Sequence, residues 1–563
     1  MIRPFPLFAL FSFLVFHTGY GQLFSAHNYP QQYFQWPAGA KVGIVANFGE
    51  LRPNHYHMGL DVRTDGRVNV PVYAAAEGYV AKVHIDPTGF GRALYINHPN
   101  GLTTLYAHLN DFNPALEKYV EEQQYKLKQW KIDLELPDGL FPVEKGQFIA
   151  YSGNTGGSQG PHVHFEIRET KTDKVLNPLF FGFHIPDQTP PDIIRLAVYD
   201  RRKSTYEQTP RLFPLKKVNG IYQPIGGNIT VSSDKVSFAI SAFDRYSGST
   251  NQNGIFSAVV YDNDKALAGF EMNSVSYDET RTLNGHIDYK TKIHGGPFLQ
   301  HVSPLPGCMD VIYNTAPHED GVIRLNNTEP HRIKIAVRDV ADNLSQIQFQ
   351  LQRTDILSAV GTPAPGQLFE PNSINIFEAE RLSFYMPENC LFDSFHFRWT
   401  QNGNKVMLQG DEVPVNSYYP IRLKADFDMA DTGKIVMKMT AYKKDRFKKA
   451  VYENGWYKAS FRDFGYAELI KDVTPPSVAT LFGFRDGISL RVNRIAFAAT
   501  DNTKEIAEFS GWLDGQWLLF SNDKGTNFIY TVDKYCQPGE HNLRLIVKDL
   551  AGNVTEKNYH FYR

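Results

Sequence analysis

The sequence is poor in the features that mark several classes of protein. It has three cysteines in 563 residues, Cys308, Cys390 and Cys536, and none of them stands in a CxxC pair. This spacing indicates neither a zinc knot nor a disulfide scaffold, so we expect three buried small side chains in separate domains. The formal net charge is only −2, and the chain therefore lacks the basic field that binding to nucleic acid requires. No apolar run after residue 21 is long enough to span a bilayer.

The N-terminus has the pattern of a cleaved signal peptide over residues 1–21. Arg3 supplies a positive charge, residues 7–16 are almost entirely apolar, and the GYG at 19–21 places small residues before the expected cleavage point. A retained membrane anchor is the alternative, but the apolar run is short for one. The pattern predicts export to the periplasm or the extracellular space, with no stable membrane insertion after the signal peptide is removed.

The composition favours several folded β domains. A chain of 563 residues is too long for one core, and its size suggests three or four domains. It contains 43 Gly, 33 Pro and 13% aromatic residues, which is typical of turn-rich β structure. The predicted fold class is therefore mainly β.

Two stretches of the chain repeat the same series of motifs in the same order. In each stretch a DxTPP segment precedes an apolar strand, a second strand ends in Asp, and a DxAxN turn leads into a last alternating strand. The pairs are DQTPP at 187–191 with DVTPP at 472–476, Asp244 with Asp501, and DVADN at 339–343 with DLAGN at 549–553.

This order of strands and turns is typical of β-sandwiches, and each diproline stiffens the entrance to a domain. We predict immunoglobulin-like β-sandwiches at 187–354 and 472–563, with a further β domain at 355–471. The repeats resemble the immunoglobulin-like modules of secreted bacterial enzymes. That resemblance implies spacers or stabilisers. The alternative is a role in contacts with the cell wall or other proteins, which would make the chain an adhesin.

Residues 40–182 contain the histidines and acids that could hold a metal ion. His162 and His164 are two apart in a sequence with strand character, so both imidazoles project from one face. His57 and Asp61 are four apart, and Gly59 between them favours a strand and turn over a helix. Two histidines and one acid are the ligands of many hydrolytic zinc sites. An isolated HxH also occurs in ordinary core or surface positions, and HExxH is absent. Any metal site must be assembled from distant segments.

Four motifs follow one another along this region: HxxxD at 57–61, YxHL at 106–109, a glycine-rich turn at 152–161 and HxHFE at 162–166. Taken together and in this order, they resemble the motifs of the lysostaphin/LytM-type zinc endopeptidases. The resemblance implies an antiparallel β peptidase domain over 22–186. It also implies a zinc-dependent endopeptidase that hydrolyses peptide cross-links or stem peptides of bacterial peptidoglycan.

Position by position, the resemblance makes His57, Asp61 and His164 the ligands of one Zn²⁺ per chain. It makes His108 and His162 the catalytic pair that assists a metal-bound water and the reacting carbonyl, without deciding which is the general base. The alternative is a non-catalytic LytM-type scaffold that activates or localises other wall hydrolases. The presence of all five residues favours the enzyme.

Residues from about 111 to 140 are an insertion relative to the usual pattern of the family, between the YxHL segment and the segment that follows it. Asn113-Pro114 is a good helix start, an N-cap followed by proline. We predict a helical flap beside the cleft that either gates the substrate or merely decorates the domain. His55 lies beside the ligand segment and could line the cleft, but a plain surface role is favoured, and His98 is expected in a structural role.

Overall fold

The computed structural model describes residues 23–39, 42–308, 311–361, 364–525 and 527–563. The predicted signal peptide at 1–21 lies outside the described residues. Strands contain 46% of the residues and helices 8%, which confirms the mainly β class. Within the described ranges, none of the helices combines the length and apolarity needed to cross a membrane.

The first region is built from short antiparallel strands and one longer helix. Its elements are β1 (Ile44–Ala46), β2 (Leu51–Arg52), β3 (His55–Tyr56), β4 (Leu60–Arg63), β5 (Pro71–Tyr73), β6 (Gly78–Ile85), β7 (Arg92–Asn97), β8 (Leu102–Ala107), β9 (Leu109–Phe112), α1 (Pro114–Leu127), β10 (Ile132–Glu135), β11 (Pro142–Val143), β12 (Phe148–Ser152), β13 (His162–Glu169) and β14 (Val175–Leu176). A 3-10 turn follows at Pro178–Phe181.

One long sheet carries most of this region. Its strand order is β1-β4-β13-β8-β7-β6-β10, with β11 on β6 and β14 on β13, and a smaller sheet has the order β5-β12-β9. Along β13, Val163, Phe165 and Ile167 are fully buried on the core face. Because side chains alternate on a strand, His162 and His164 project from the opposite face. Burial of the apolar set therefore determines which face receives the histidines.

The remaining elements are almost all strands. Residues 187–354 contain Asp192–Asp200, Arg211–Val218, Ile221–Pro224, Ile229–Val231, Lys235–Phe243, Ser257–Asp262, Lys265–Glu271, Ser274–Val275, Gln300–His301, Tyr313–Thr315, Ile323–Arg324, His331–Arg338 and Leu344–Arg353, with short helical turns at Thr205–Glu207, Thr280–Thr282, Leu283–His286 and Tyr289–Ile293. Residues 355–471 contain Gln367–Phe369, Asn375–Glu378, Leu382–Met386, Phe395–Phe397, Trp399–Asn402, Lys405–Leu408, Tyr419–Leu423, Ile435–Ala441, Lys444–Lys449, Val451–Glu453, Trp456–Phe461 and Gly465–Lys471, with a 3-10 turn at Met429–Lys434. Residues 472–563 contain Ser477–Thr480, Ile488–Ser489, Arg494–Thr500, Ile506–Leu513, Gln516–Leu518, Phe520–Ser521, Phe528–Thr531, Glu540–Asp549 and Val554–Tyr562, with a 3-10 turn at Asp523–Gly525.

The cysteines occupy hydrophobic cores, as the sequence predicts. Cys308, Cys390 and Cys536 are all buried, and each belongs to a different cluster of buried side chains. The largest cluster also joins two regions of the chain, because Phe48 and Tyr56 pack among the buried side chains of residues 187–354. The first region and the following β domain therefore share a core.

His98 is buried and has a hydrogen-bond partner at both ring nitrogens, which leads to a prediction about the stability of the folded chain in acid. Its Nδ1 is 2.6 Å from the Glu77 carbonyl oxygen and its Nε2 is 2.8 Å from Thr104 Oγ1. Burial lowers the pKa of His98 to about 4. The unfolded chain binds the proton near pH 6.5, so between about pH 6.5 and 4 the unfolded state holds more protons than the folded state. The stability that the neutral ring contributes is complete above this window and is lost as the pH falls through it.

We therefore expect the thermal midpoint of His98→Gln to fall less than that of the parent between pH 7 and pH 4.5. Thermal unfolding followed by circular dichroism at half-unit pH steps measures both curves. Parallel curves would contradict the argument, whatever the offset between the two proteins at pH 7.

Candidate active site

Three side chains from two segments of the long sheet converge on one point. The antiparallel register of β4 and β13 pairs Asp61 with His164, and His57 lies in the turn after β3. His57 Nε2 is 2.8 Å from Asp61 Oδ1 and 3.0 Å from His164 Nδ1, and His164 Nδ1 is 3.1 Å from Asp61 Oδ1. All three residues are buried. The structure thus brings together the three residues that the sequence proposed as a ligand set.

The outer nitrogens of both imidazoles show that this cluster suits a metal ion. His57 Nδ1 is 2.7 Å from the Asn47 carbonyl oxygen, and His164 Nε2 is 2.9 Å from Glu166 Oε1. A carbonyl and an ionised carboxylate only accept hydrogen bonds, so these nitrogens carry the protons. With the outer nitrogens donating, neutral rings would direct their other lone pairs at each other and at the Asp61 carboxylate, so this centre requires a positive charge, either a bound cation or a second proton on His164. Such a set of nitrogen and oxygen donors is stabilised by a cation among them, and outward N–H groups held by acceptors are typical of metal-binding histidines.

The electrostatics of the cluster keep the central carboxylate charged. Burial opposes ionisation of Asp61, yet His57, His162 and His164 hold its pKa well below the usual value. Burial alone would lower the pKa of His164, but Asp61 and Glu166 raise it to about 9. The centre therefore has a negative potential that favours positive charge.

The other two predicted site residues lie beside the cluster. His108, between β8 and β9, has Nδ1 2.9 Å from the Thr155 carbonyl oxygen. His162 Nδ1 is 2.7 Å from the Gly160 carbonyl oxygen, and its Nε2 is 3.3 Å from Asp61 Oδ1. The two ring centroids are 4.8 Å apart. In each ring Nδ1 therefore donates to a backbone carbonyl, and Nε2 is the nitrogen that faces the cluster. In His162 this nitrogen faces Asp61 Oδ1, which only accepts hydrogen bonds.

Burial, with help from His164 and His162, lowers the pKa of His108 to about 3. The imidazole of His108 is therefore neutral at physiological pH. A neutral ring has the lone pair that a general base needs, although a pKa of about 3 is well below the near-neutral value that makes proton transfer most effective.

Behind the cluster lies a buried network of hydrogen bonds and ion pairs that was not predicted from the sequence. Glu166 is fully buried. Its Oε1 lies 2.9 Å from His164 Nε2 and also accepts a hydrogen bond from the Tyr277 hydroxyl at 2.5 Å. Its Oε2 accepts a hydrogen bond from Arg168 Nε at 2.7 Å. Burial would raise the pKa of Glu166, but Arg168 and His164 hold it at about 2. Spacings of two residues along β13 place Glu166 and Arg168 on the same face as His164, so the sequence did carry a signal for them.

Tyr277 reaches the site through a strand pairing that local sequence does not reveal. Ser274–Val275 adds to the edge of β14, and the long sheet thereby continues into the β domain that follows. Tyr277 then lies with its ring 5.7 Å from the ring of Phe90. A residue more than a hundred positions away in sequence thus completes one wall of the site.

The converging residues open into a cleft of about 750 Å³. Its lining includes the five predicted site residues, the rim residue His55, the glycine-rich loop at 157–161, and Arg52, Phe90 and Tyr277. His55 is exposed, in agreement with the expected surface position.

Gly59 is required where the two ligand segments cross. A Cβ atom at this position would lie 2.4 Å from the Phe165 carbonyl oxygen and 3.0 Å from His164 Nε2. The contact with the Phe165 backbone is not tolerated, so any larger residue would force this segment and β13 apart, and the Asp61–His164 pairing would move with them.

The predicted helix in the additional stretch is present as α1, and its action as a gate stays a prediction. The helix α1 begins after the N-cap Asn113, whose side chain accepts from the Leu116 amide. None of the described residues lining the cleft comes from 111–140. The helix lies instead against the C-terminal region, where the Tyr125 hydroxyl donates to Asp533 and the Lys128 ammonium sits 4.7 Å from the Trp512 ring. The physical reason is that aromatic and charged partners on that region cover the outer surface of the helix.

The C-terminal region contacts the cleft by another route. Asp523 Oδ1 accepts from the Gly156 amide at 2.8 Å, and Lys524 Nζ donates to the Ser158 carbonyl oxygen at 2.7 Å. These contacts hold the glycine-rich loop that carries the Gly160 partner of His162.

Two family models match the chain. Residues 55–125 and 141–178 match Peptidase family M23, and residues 366–472 match the Zu5-like domain. The M23 match skips residues 126–140, which lie within the stretch that the sequence analysis marked as additional. The described site residues all fall within the M23 match apart from Arg52, Asn47 and Tyr277.

Several bacterial peptidases are similar to the same part of the chain. The DD-carboxypeptidase/endopeptidase Mpg of Neisseria meningitidis is 30% identical over 146 residues, which cover 26% of this chain and 27% of that protein. The peptidoglycan DD-endopeptidase ShyA of Vibrio cholerae is 29% identical over 24% of this chain and 27% of its own length. A crystal structure of a zinc-containing peptidase from Vibrio cholerae is 27% identical, covers 24% of this chain and 37% of that chain, and has a TM-score of 0.19. The chain thus spans about a quarter of the length of Mpg and of ShyA.

Proposed function

We propose that this chain is a zinc-dependent endopeptidase of bacterial peptidoglycan, a proposal supported by the match of residues 55–125 and 141–178 to Peptidase family M23. Its substrates would be the peptide cross-links or stem peptides of the wall. The observation that carries the proposal is the convergence of His57 Nε2, His164 Nδ1 and Asp61 Oδ1 within 3.1 Å, with both outer imidazole nitrogens held by acceptors.

His57, Asp61 and His164 would hold one Zn²⁺ per chain. When bound there, zinc supplies Lewis-acid chemistry, polarising a peptide carbonyl and making water more acidic. The chain's own residues supply the rest. The Asn47 carbonyl and Glu166 orient the two ligand rings, and Asp61 holds negative charge between them.

His108 and His162 would move the proton and stabilise the oxyanion. One Nε2 accepts a proton from the attacking water and returns it to the leaving amine, while the other ring stabilises the negative charge on the carbonyl oxygen. The Thr155 and Gly160 carbonyls hold the two Nδ1–H groups, so that Nε2 is the working nitrogen of each ring. In the ring that acts as base Nε2 accepts the proton, and in the other ring Nε2 must carry a proton that it donates to the negatively charged oxygen.

The substrate assignment is supported by the names of the relatives and by the cleft. Mpg is named a DD-carboxypeptidase/endopeptidase, and ShyA a peptidoglycan DD-endopeptidase. Arg52 lines the cleft with its guanidinium 3.6 Å from Asp61 Oδ2. A guanidinium at this position suits the free carboxylates that stem peptides carry.

Digestion of purified peptidoglycan tests the proposal. The chain from residue 22 should release fragments with new amine termini, a chelator should stop the release, and added Zn²⁺ should restore it. Mass spectrometry of the fragments identifies the bond that is cut. A zinc-loaded protein that produces no new amine termini would instead support the non-catalytic scaffold.

The two catalytic histidines can be separated from the ligands by substitution. We expect His108→Ala and His162→Ala each to retain one zinc per chain and to lose about 10²–10⁴-fold in hydrolysis rate, the usual contribution of acid–base groups. His55→Ala, on the exposed rim of the cleft, is the matched control and should keep its rate. Loss of zinc from His108→Ala or His162→Ala would place that residue among the ligands.

We extend the proposal to the rest of the chain. Export to the periplasm or exterior follows if the substrate is the wall. The domain boundaries at 22–186, 187–354, 355–471 and 472–563 are likewise proposed, with the Zu5-like match at 366–472 inside or next to the third of them. Limited proteolysis, which cleaves preferentially between domains, tests these boundaries.

A further inference from the structure

The β domain that follows the peptidase contains a buried cluster of three carboxylates. Asp187, Asp244 and Asp339 come from distant segments, and one carboxylate oxygen of each lies within 4.8 Å of the others. Asp244 is only 1% exposed and Asp339 only 3%. Like charges at this separation repel strongly in a buried setting.

The carboxylate oxygens of this cluster face one another, and few hydrogen-bond donors contact them. Neither carboxylate oxygen of Asp244 accepts a hydrogen bond, although the Arg245 backbone N–H is close enough to act on its pKa. Asp187 uses Oδ1 to accept from the Thr189 amide at 3.0 Å, while its buried Oδ2 has no donor. Burial, together with Asp339 and Asp187, raises the pKa of Asp244 to about 8. Buried carboxylate oxygens without donors are costly unless a cation binds them.

Asn343 orients the third carboxylate. Its backbone amide donates to Asp339 Oδ1 and its side-chain amide donates to Asp339 Oδ2, both at 2.8 Å. The DxAxN turn therefore holds Asp339 with both oxygens in defined positions. This is how a protein fixes a ligand before an ion arrives.

The C-terminal β domain contains the same arrangement a second time. Asp472, Asp501 and Asp549 also have carboxylate oxygens within 4.8 Å of one another. Asp472 Oδ1 accepts from the Thr474 amide at 3.1 Å, and its Oδ2 has no donor. Asn553 donates to both oxygens of Asp549 at 2.8 Å. The DxTPP, strand-end Asp and DxAxN motifs thus build one three-carboxylate geometry in two places.

We propose that each of these clusters is a Ca²⁺ site. The donors of both clusters are oxygens, mostly from carboxylates, and calcium prefers such hard ligands. The imidazole-containing cluster of the peptidase has the donor set of a transition metal. The chemistry of the donors therefore assigns different ions to the two kinds of site.

The first Ca²⁺ site is connected to the peptidase cleft. Asp244 and Asn253 exchange two backbone hydrogen bonds at 2.9 Å, which closes the loop between them. The next residue, Gly254, is held by both polar side-chain atoms of Asn47 at 2.9 Å. The Asn47 carbonyl in turn accepts from His57. An ion at Asp244 would stiffen the loop that supports Asn47, and so would hold the β domain against the peptidase.

Calcium content and thermal unfolding of the whole mature chain test the proposal. The zinc-loaded protein is desalted and then titrated with CaCl₂, with MgCl₂ as the comparison ion. We expect two Ca²⁺ per chain by mass spectrometry of the metal, and a rise in thermal midpoint of about 5 °C at saturation. Asp244→Asn should bind one Ca²⁺, and the double variant with Asp501→Asn none. Asp342→Asn is the matched control, because Asp342 is an exposed acid in the same turn.

Loss of folding can be told apart from loss of the ion. Without calcium, Asp244→Asn removes a carboxyl group that must be either protonated or charged beside Asp187 and Asp339 in the folded state, so its thermal midpoint should equal or exceed that of the parent. It should also keep its zinc. The proposal is overturned if the parent binds no Ca²⁺, if the double variant keeps the same calcium-dependent rise, or if Asp244→Asn unfolds at a lower temperature in calcium-free buffer. None of these readouts depends on wall hydrolysis, so failure here and failure of the peptidase assignment are distinguishable.

Discussion

Asp61→Asn is expected to abolish zinc retention and to lower the rate of wall hydrolysis by about 10³-fold or more. The Asp61 carboxylate lies 2.8 Å from His57 Nε2, 3.1 Å from His164 Nδ1 and 3.3 Å from His162 Nε2. An asparagine keeps the shape but removes the charge that balances a divalent ion. Zinc per chain by metal mass spectrometry and fragment release from purified peptidoglycan measure the two effects.

Asp65→Asn provides the matched control for this substitution. Asp65 is exposed, lies four residues further along the same segment and has a φ of 52° that asparagine also adopts. Its variant should keep one zinc and the parent rate. An Asp61→Asn protein that retains zinc and hydrolyses the wall at a near-parent rate would exclude Asp61 as a ligand.

Glu166→Gln is expected to weaken zinc binding by about 10–100-fold and to lower the free energy of unfolding by about 3 kcal/mol. Glu166 fixes the outer nitrogen of His164 and neutralises Arg168, which is 3% exposed. A glutamine would leave the Arg168 guanidinium buried with only the exposed Asp173 as a charged partner. Competition with a zinc chelator measures the affinity, and urea unfolding measures the stability.

Two further variants identify the source of each effect. Glu169→Gln changes an acid at the end of the same strand, where its carboxylate accepts from Thr172, and should leave both quantities unchanged. Tyr277→Phe removes one hydrogen bond to Glu166 and should cost about 1–2 kcal/mol while sparing most of the zinc affinity. Equal zinc affinity in Glu166→Gln and the parent would show that Glu166 serves stability alone.

The site residues could be predicted because the motifs are short and their spacings map directly onto strands. His162 and His164 share a face for the same reason that Val163 and Phe165 enter the core. Glu166 and Arg168 follow the same spacing, and their buried network could have been predicted by extending the strand argument two residues at a time. The order of the motifs then indicated the resemblance to a peptidase family, and residues 55–125 and 141–178 match Peptidase family M23.

The helix after Asn113 shows what local sequence patterns predict and what they do not. Its start is indicated by the cap and proline, and the structure has a helix at Pro114–Leu127. Which surface it covers depends on Tyr125 and Lys128 meeting side chains about four hundred residues away. No local pattern contains that information.

The amino-acid sequence alone indicated the mainly β class and the paired motifs of the β domains, because these depend on alternation and short spacing along the chain. The candidate ligand set came from the order of four motifs and the family that this order resembles. Only the tertiary structure decided that Tyr277 closes the cleft, that the C-terminal domain holds the glycine-rich loop, and that six aspartates of those motifs form two compact clusters. These features arise from contacts between segments far apart in the chain. Their geometry depends on how whole sheets pack and pair, which no local pattern specifies.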